Sequence, residues 1–341
     1  MRGLGSILVG CACALLAASS AGATNPRTTT VMSINIYQGT ELEHVLASHD
    51  VPSLVAGVTA DYGNAVATNF PLRAQALAGE IAAAQPTLVG LQEVATWTVN
   101  GAVTYDFLQL LVDALAARGL SYAPVVERAN FHSTAPGIVD GGLALVGFTE
   151  QTAILAHTDL PTDQLKLSNP QSHDFAVRTI FPFLGNPFDV GGGWLSVDAK
   201  VRGKSFRFLT THMDPITPAA RTAQAAQIVA QADGDGIPLV VAGDTNSTPT
   251  TPAYADFVGS GLTDTWAALH PDEAGLTCCH VPPDSIDNPA SALTERVDYV
   301  LTGPGIAPVS ETLFNTEPIE MVGGLWPTDH AAIAATLLLE P

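Results

Sequence analysis

Six short polar clusters stand at the ends of apolar runs: Asn35, Gln92-Glu93, Thr211-His212, Gly243-Asp244-Thr245-Asn246, Asp298 and Asp329-His330. Each alone has an ordinary explanation as a cap, a turn or a surface pair. Together they mark one rim of a buried sheet, where a polar side chain usually has a partner or a role. Carboxylates and amide oxygens are hard ligands, suited to Mg²⁺, Mn²⁺ or Ca²⁺ rather than Zn²⁺. Two histidines beside them can move protons near neutral pH. Such a set can direct water onto a phosphate ester. A metal polarises the phosphoryl oxygens, a carboxylate or His/Asp pair activates water, and a histidine stabilises developing charge. Gly-x-Ser-x-Gly, His-Glu-x-x-His, phosphate-loop and Gly-x-Gly-x-x-Gly motifs are absent from the sequence.

The elements that must carry these residues are legible from periodicity. Thr30 to Tyr37 alternates and is β-branched, which predicts a strand ending at Gln38-Gly39. Residues 71–85 place Leu72, Ala76, Leu77, Ile81 and Ala84 on one helical face, stopped before Pro86. Thr87 to Val94 is a continuous apolar run, the mark of a strand covered on both faces. Residues 105–118 repeat the helical pattern. The stretch from about 128 to 192 reads as long surface loops around one strand at Thr152–Ala156, because glycine and proline interrupt it. Residues 194–201 and 205–212 alternate around Arg202-Gly203, a hairpin signal. A helix over about 218–232 and strands at 237–242, 296–302, 310–314 and 331–338 follow. No repeat or composition break divides the chain, so one α/β domain is expected after the N-terminal segment.

That segment reads as an export signal. Arg2 precedes an apolar stretch from Leu4 to Ala18, and Ala21-Gly22-Ala23 fits a small-x-small cleavage site. The expected mature domain is 24–341, secreted and monomeric, with no later stretch apolar enough to span a bilayer. A lipoprotein anchored at Cys11 is the alternative, because Leu8-Val9-Gly10 precedes it in lipobox fashion. Removing residues 1–23 leaves two cysteines, Cys278 and Cys279, which either close a vicinal disulfide or remain thiols. A metal site made of that pair and His280 lacks further spaced ligands. Asp233-Gly-Asp235-Gly resembles a truncated calcium loop but reads better as a turn.

The 341 residues carry 33 acidic and 13 basic side chains, a formal charge of −20, with lysine only at 166, 200 and 204. Such a surface repels polyanions at long range, so charge does not favour a nucleic-acid partner. A local divalent cation can override the net field.

Ser-Ile-Asn35, Leu-Gln-Glu93-Val, Thr-His212-Met-Asp, Gly-Asp244-Thr-Asn246-Ser, Arg296-Val-Asp298-Tyr-Val and Thr-Asp329-His330 resemble, in order, the motifs of the endonuclease/exonuclease/phosphatase (DNase I-like) superfamily. The resemblance runs from about residue 30 to the C-terminus. It implies a four-layer sandwich of two mixed β-sheets flanked by helices. It further implies that Asn35 and Glu93 hold the metal, with Asp329 beside the metal or the water. Asp244 would orient or deprotonate that water, and Asn246 would bind the scissile phosphate. Asp298 would orient His330 as general acid or base, and His212 would contact the phosphoryl group. Many secreted relatives have Arg-Gly-Trp where this chain has Gly192-Gly193-Trp194, and Arg128 and Arg178 are the only arginines expected nearby. The reading is a secreted, Mg²⁺-dependent phosphodiesterase or nuclease-like hydrolase acting on nucleic acid, a phospholipid head group or a small phosphodiester. The alternative is a non-catalytic binding protein on the same scaffold.

Overall fold

Strands β1 (Thr28–Asn35), β2 (Leu88–Val99), β3 (Ala102–Asp106), β4 (Tyr122–Val139) and β5 (Gly142–His157) come first in the chain. They are followed by β6 (Lys166–Asp174), β7 (Ile180–Phe183), β8 (Asn186–Asp189), β9 (Gly193–Val201) and β10 (Lys204–His212). The last five are β11 (Leu239–Asp244), β12 (Thr263–Asp264), β13 (Asp298–Thr302), β14 (Ile306–Phe314) and β15 (Ala332–Leu339). The main helices are α1 (Glu43–Leu46), α2 (Val51–Ala67), α3 (Phe70–Ala84), α4 (Phe107–Ala117), α5 (Pro218–Val229), α6 (Pro252–Gly259) and α7 (Thr265–Leu269). The computed structural model describes residues 27–230, 236–280 and 286–340; the expected export signal, Cys11 and the turn at 233–235 lie outside them.

Two mixed sheets form. One runs β14-β15-β1-β2-β5-β4 with β3 also on β2, and the other runs β12-β13-β11-β10-β9-β6. Each has one parallel pair at its centre, β1 with β2 and β10 with β11, and antiparallel neighbours around it. Parallel neighbours need a long crossover, and α2–α3 and α5 supply it.

Strand alternation sends successive side chains to opposite faces and so builds the layers. Val31, Leu88 and Ile154 of the first sheet meet Leu195, Phe208 and Val240 of the second in the central core. Met32, Ile34, Val89 and Leu91 point outward and are covered by Tyr62, Phe70, Leu77 and Leu111 from α2, α3 and α4. On the far side, Leu209, Val241 and Tyr299 are covered by Ala225, Ile228 and Phe257 of α5 and α6. The four-layer sandwich is as expected. No helix among the described residues is long and apolar enough to cross a membrane.

At Gly90 the sheets come too close for a side chain. A Cβ there would lie 2.3 Å from Thr210 Oγ1. Gln92 closes the gap, donating from Nε2 to Thr210 Oγ1 at 2.8 Å.

The region 128–192 departs from expectation: most of it is strand. β4 and β5 form a long hairpin, turned at Asp140 (φ 51°) and Gly141 (φ 79°). Two successive positive φ values are what a tight hairpin turn needs, and Asp-Gly is a favoured pair for it. β4 is the sheet's edge, where Pro124 and Pro136 leave no partner strand short of a donor. Helix α2 was also not evident from the pattern, although Asp50 and Ser53 form a capping box at its start.

Candidate active site

All six clusters meet at one end of the two sheets because register puts them there. Asn35 ends β1 opposite Gln92 of β2, and His212 ends β10 opposite Asp244, which itself faces Asp298 of β13. The β2–β5 pairing slips between Leu91 and Val94, and Glu93 has φ 55°. This bulge breaks strict alternation. It leaves Gln92 between the sheets while the Glu93 carboxylate reaches Asn35.

Asn35 is the hub. Its Nδ2 donates to Glu93 Oε1 at 2.9 Å and to Asp244 Oδ2 at 3.1 Å, and stands 3.5 Å from His330 Nε2. Its Oδ1 accepts from the Tyr37 backbone, and Glu93 Oε2 accepts from the Gln38 backbone at 3.0 Å. Asp298 Oδ2 holds His330 Nδ1 at 2.8 Å, which directs Nε2 toward Asn35 and Asp244. Burial alone would push the His330 imidazole down, but Asp298, Asp329 and Asp244 outweigh it and hold the imidazole well above its ordinary value. Burial pushes both Asp298 and Asp329 up, opposed by His330.

His212 lies across the cleft, with Nε2 3.6 Å from Asp244 Oδ2 and Nδ1 3.5 Å from Glu150 Oε1. Burial opposes its protonation, yet Glu150, Asp244 and Glu93 push it up to about 10. Asn246 has φ 49°, gives its backbone N–H to Asp244 Oδ1 at 2.8 Å, and ties its Nδ2 to the Met213 carbonyl. Its side chain still lines the cleft with Glu93, His212, Asp244, Asp329 and His330, around a cavity of about 330 Å³.

The eight residues singled out in the sequence therefore converge. Two others were missed. Glu150, buried on β5, faces His212, and its Oε1 has no hydrogen-bond partner. The signal was a lone acid in the apolar alternation of Val146, Phe148, Glu150 and Thr152. Arg73, on the buried face of α3, donates to the carbonyls of Ile36, Tyr37, Thr68 and Pro327 at 2.8–3.0 Å. It thereby clamps the loop after Asn35 to the segment before Asp329.

Cys278 and Cys279 form a vicinal disulfide. His280 turns away from them: its ring stacks on Trp326 and its Nε2 lies 3.3 Å from the Asn315 carbonyl. The Cys-Cys-His280 metal site is thereby set aside, and Cys279 Sγ instead lies 3.9 Å from His330 Nε2. Arg128 and Arg178 are neutralised by Asp174 and Asp189. Arg128 also donates to the Gly192 carbonyl at 3.2 Å.

The donor set suits a hard divalent cation. Asp244, Asp298 and His330 present ligand atoms within 4.8 Å of one another, Glu93 and Asp329 line the same cleft, and Asp298 Oδ1 is a buried oxygen with no donor. Carboxylate oxygens of this kind are the ligands Mg²⁺, Mn²⁺ or Ca²⁺ prefer.

Fold and site define a phosphate-ester hydrolase of the two-sheet sandwich type. The chain belongs to the Endonuclease/Exonuclease/phosphatase family, whose model matches residues 32–330. A family member from Bacteroides thetaiotaomicron superposes with a TM-score of 0.61 at 17% identity, covering 93% of this chain and 99% of that one. A mannosyl-6-phosphatase from the same organism gives 0.56 at 17% identity, over 91% and 99%. The human Nocturnin catalytic domain gives 0.52 at 18%, over 92% and 93%. No curated protein matches the sequence at a significant level.

Proposed function

We propose that the protein is a secreted, divalent-metal-dependent phosphodiesterase, with Asn35, Glu93 and Asp329 holding the cation and the remaining site residues moving protons. The observation that carries this is the meeting of Glu93, Asp244 and His330 on the single Asn35 amide, with His330 locked by Asp298. A bound Mg²⁺ (or Mn²⁺ or Ca²⁺) would polarise the phosphoryl oxygens.

The chain's own groups divide the remaining work. His330 is oriented by Asp298 on Nδ1 and His212 stands between Glu150 and Asp244, so each imidazole can present a ring N–H to substrate. His212 donates to a phosphoryl oxygen, and Asn246 helps seat the scissile phosphate. Asp244 is the acceptor aimed between them, and it orients water and takes its proton. His330, held by Asp298, then protonates the leaving oxygen as the phosphorus–oxygen bond breaks.

A diester fits better than a monoester, because no lysine or arginine among the described residues lines the cleft. A monoester dianion would need that extra positive charge. The test is hydrolysis of a generic aryl phosphodiester and its monoester by wild type, Glu93→Gln and His330→Ala. Metal-dependent diester turnover, lost in both folded variants, is expected. Equal turnover per folded molecule in the variants would overturn the assignment, and a preference for the monoester would overturn the diester reading.

A further inference from the structure

The catalytic cleft does not end at its polar residues. It runs into a second cavity of about 290 Å³, and Leu42, Leu46, Phe131, Phe148 and Phe188 line both. Five of the chain's twelve phenylalanines gather along this groove with Trp97. Ring centroids step from Trp97 to Phe148 (4.6 Å), to Phe131 (6.2 Å) and to Phe188 (5.0 Å). Phe181 and Phe183 then lie 5.0 and 5.6 Å from Phe188.

One wall of the groove comes from the first sheet. The other is the hairpin β7–β8, which belongs to neither large sheet. Its base is tied to the site: Thr179 N–H donates to Asp214 Oδ2 at 2.8 Å, just past His212 on the chain. Arg178 and Asp189 pair across it at 2.8 Å. The hairpin is thus held in place by polar contacts at its base, while its rings face the groove. Leu46 and Ile216, both lining the cleft, are 39% and 49% exposed.

An apolar groove continuous with a catalytic cleft favours apolar substrate, because each methylene taken from water is stabilising. A longer polyanion finds no lysine or arginine there, since neither residue type lines either cavity among the described residues. A nucleobase could stack on a ring, but its neighbouring phosphates would go unpaired in a chain of charge −20.

We propose that this aromatic groove is the subsite for an alkyl or acyl chain carried on the phosphodiester substrate, so that the enzyme acts on amphiphilic phosphodiesters. The proposal rests on the phosphodiesterase reading above. It makes Phe188 of the hairpin and Leu46 of α1, which both line the two cavities, determinants of specificity.

The experiment compares 4-nitrophenyl methyl, butyl and octyl phosphodiesters, all below micellar concentrations, with the 4-nitrophenyl diester of thymidine 5′-phosphate. In wild type, kcat/KM should rise with chain length by up to about fourfold per methylene, the equivalent of about 0.8 kcal/mol. Phe188→Asp and, separately, Leu46→Asp should flatten that dependence at least tenfold at octyl. Turnover that ignores chain length, or a thymidine diester preferred tenfold over octyl, would overturn the groove while leaving the phosphodiesterase reading in place. If no diester is turned over, that reading fails, and calorimetry with methyl octyl phosphate decides the groove alone. Binding to wild type weakened tenfold in either variant supports it, and absent or unchanged binding overturns it.

Discussion

Replacing Arg73 with methionine should destabilise the protein and loosen the site together. The guanidinium is fully buried and makes four hydrogen bonds to backbone carbonyls on three separate segments. A hydrogen bond to a charged group contributes roughly 1.5–3 kcal/mol, so the four sum to roughly 6–12 kcal/mol before any cost. Burial opposes this. It pushes the Arg73 guanidinium down to about 10, partly offset by Tyr37, Asp329 and Glu93, a cost of about 3 kcal/mol. The methionine also leaves the carbonyls of Ile36, Tyr37 and Pro327 without that donor in a buried place. The net loss should be at least about 3 kcal/mol, which for a chain of this size lowers Tm by about 5 °C or more. Circular dichroism melts give the shift directly. The same variant should reduce turnover per folded molecule, because the clamp joins the loop after Asn35 to the segment before Asp329. A Tm change under about 2 °C with full turnover would refute the clamp.

Three further outcomes follow from the same geometry. Asp298→Asn removes the partner of His330 Nδ1 and should lower turnover about 10²–10⁴-fold with the fold intact; NMR should show His330 titrating lower than in wild type. Burial pushes Glu80 and Glu311 up to about 8 from an ordinary 4.5. Their contribution is fully present below about 4.5 and is lost as pH rises through about 8, on the order of 5 kcal/mol each at most. Denaturant melts should therefore show stability falling from pH 5 to pH 9, and Glu80→Gln with Glu311→Gln should flatten that fall. Gly90→Ala drives a Cβ to 2.3 Å from Thr210 Oγ1 and 3.0 Å from the Ala242 carbonyl, so it should cost about 1–3 kcal/mol in the same melts.

Seven of the eight polar site residues were legible because each stands at or beside the end of an apolar strand, and Glu93, inside β2, because it interrupts the apolar run from Thr87 to Val94; strand register then brings them together. Glu150 was not legible, since it sits within a strand rather than at its end and only the pairing of β5 shows that it faces His212. Arg73 follows the period of α3, but nothing in a helical period tells a buried arginine from a solvated one. The hairpin β4–β5 was hidden by Pro124, Pro136 and Gly137, which an edge strand tolerates and a central one does not. The groove was hidden for a different reason. Its rings come from β2, β4, β5, β7 and β8, and no local pattern joins residues so far apart in the chain.

The central claim is that Glu93, Asp244, Asp298 and His330 form one metal-dependent hydrolytic site. Its most direct test is turnover of bis(4-nitrophenyl) phosphate by the purified protein with Mg²⁺ and again with excess chelator. The account predicts turnover that chelator abolishes, that restored Mg²⁺ recovers, and that His330→Ala lacks. Turnover indifferent to chelator, or undiminished in a folded His330→Ala protein, would contradict it.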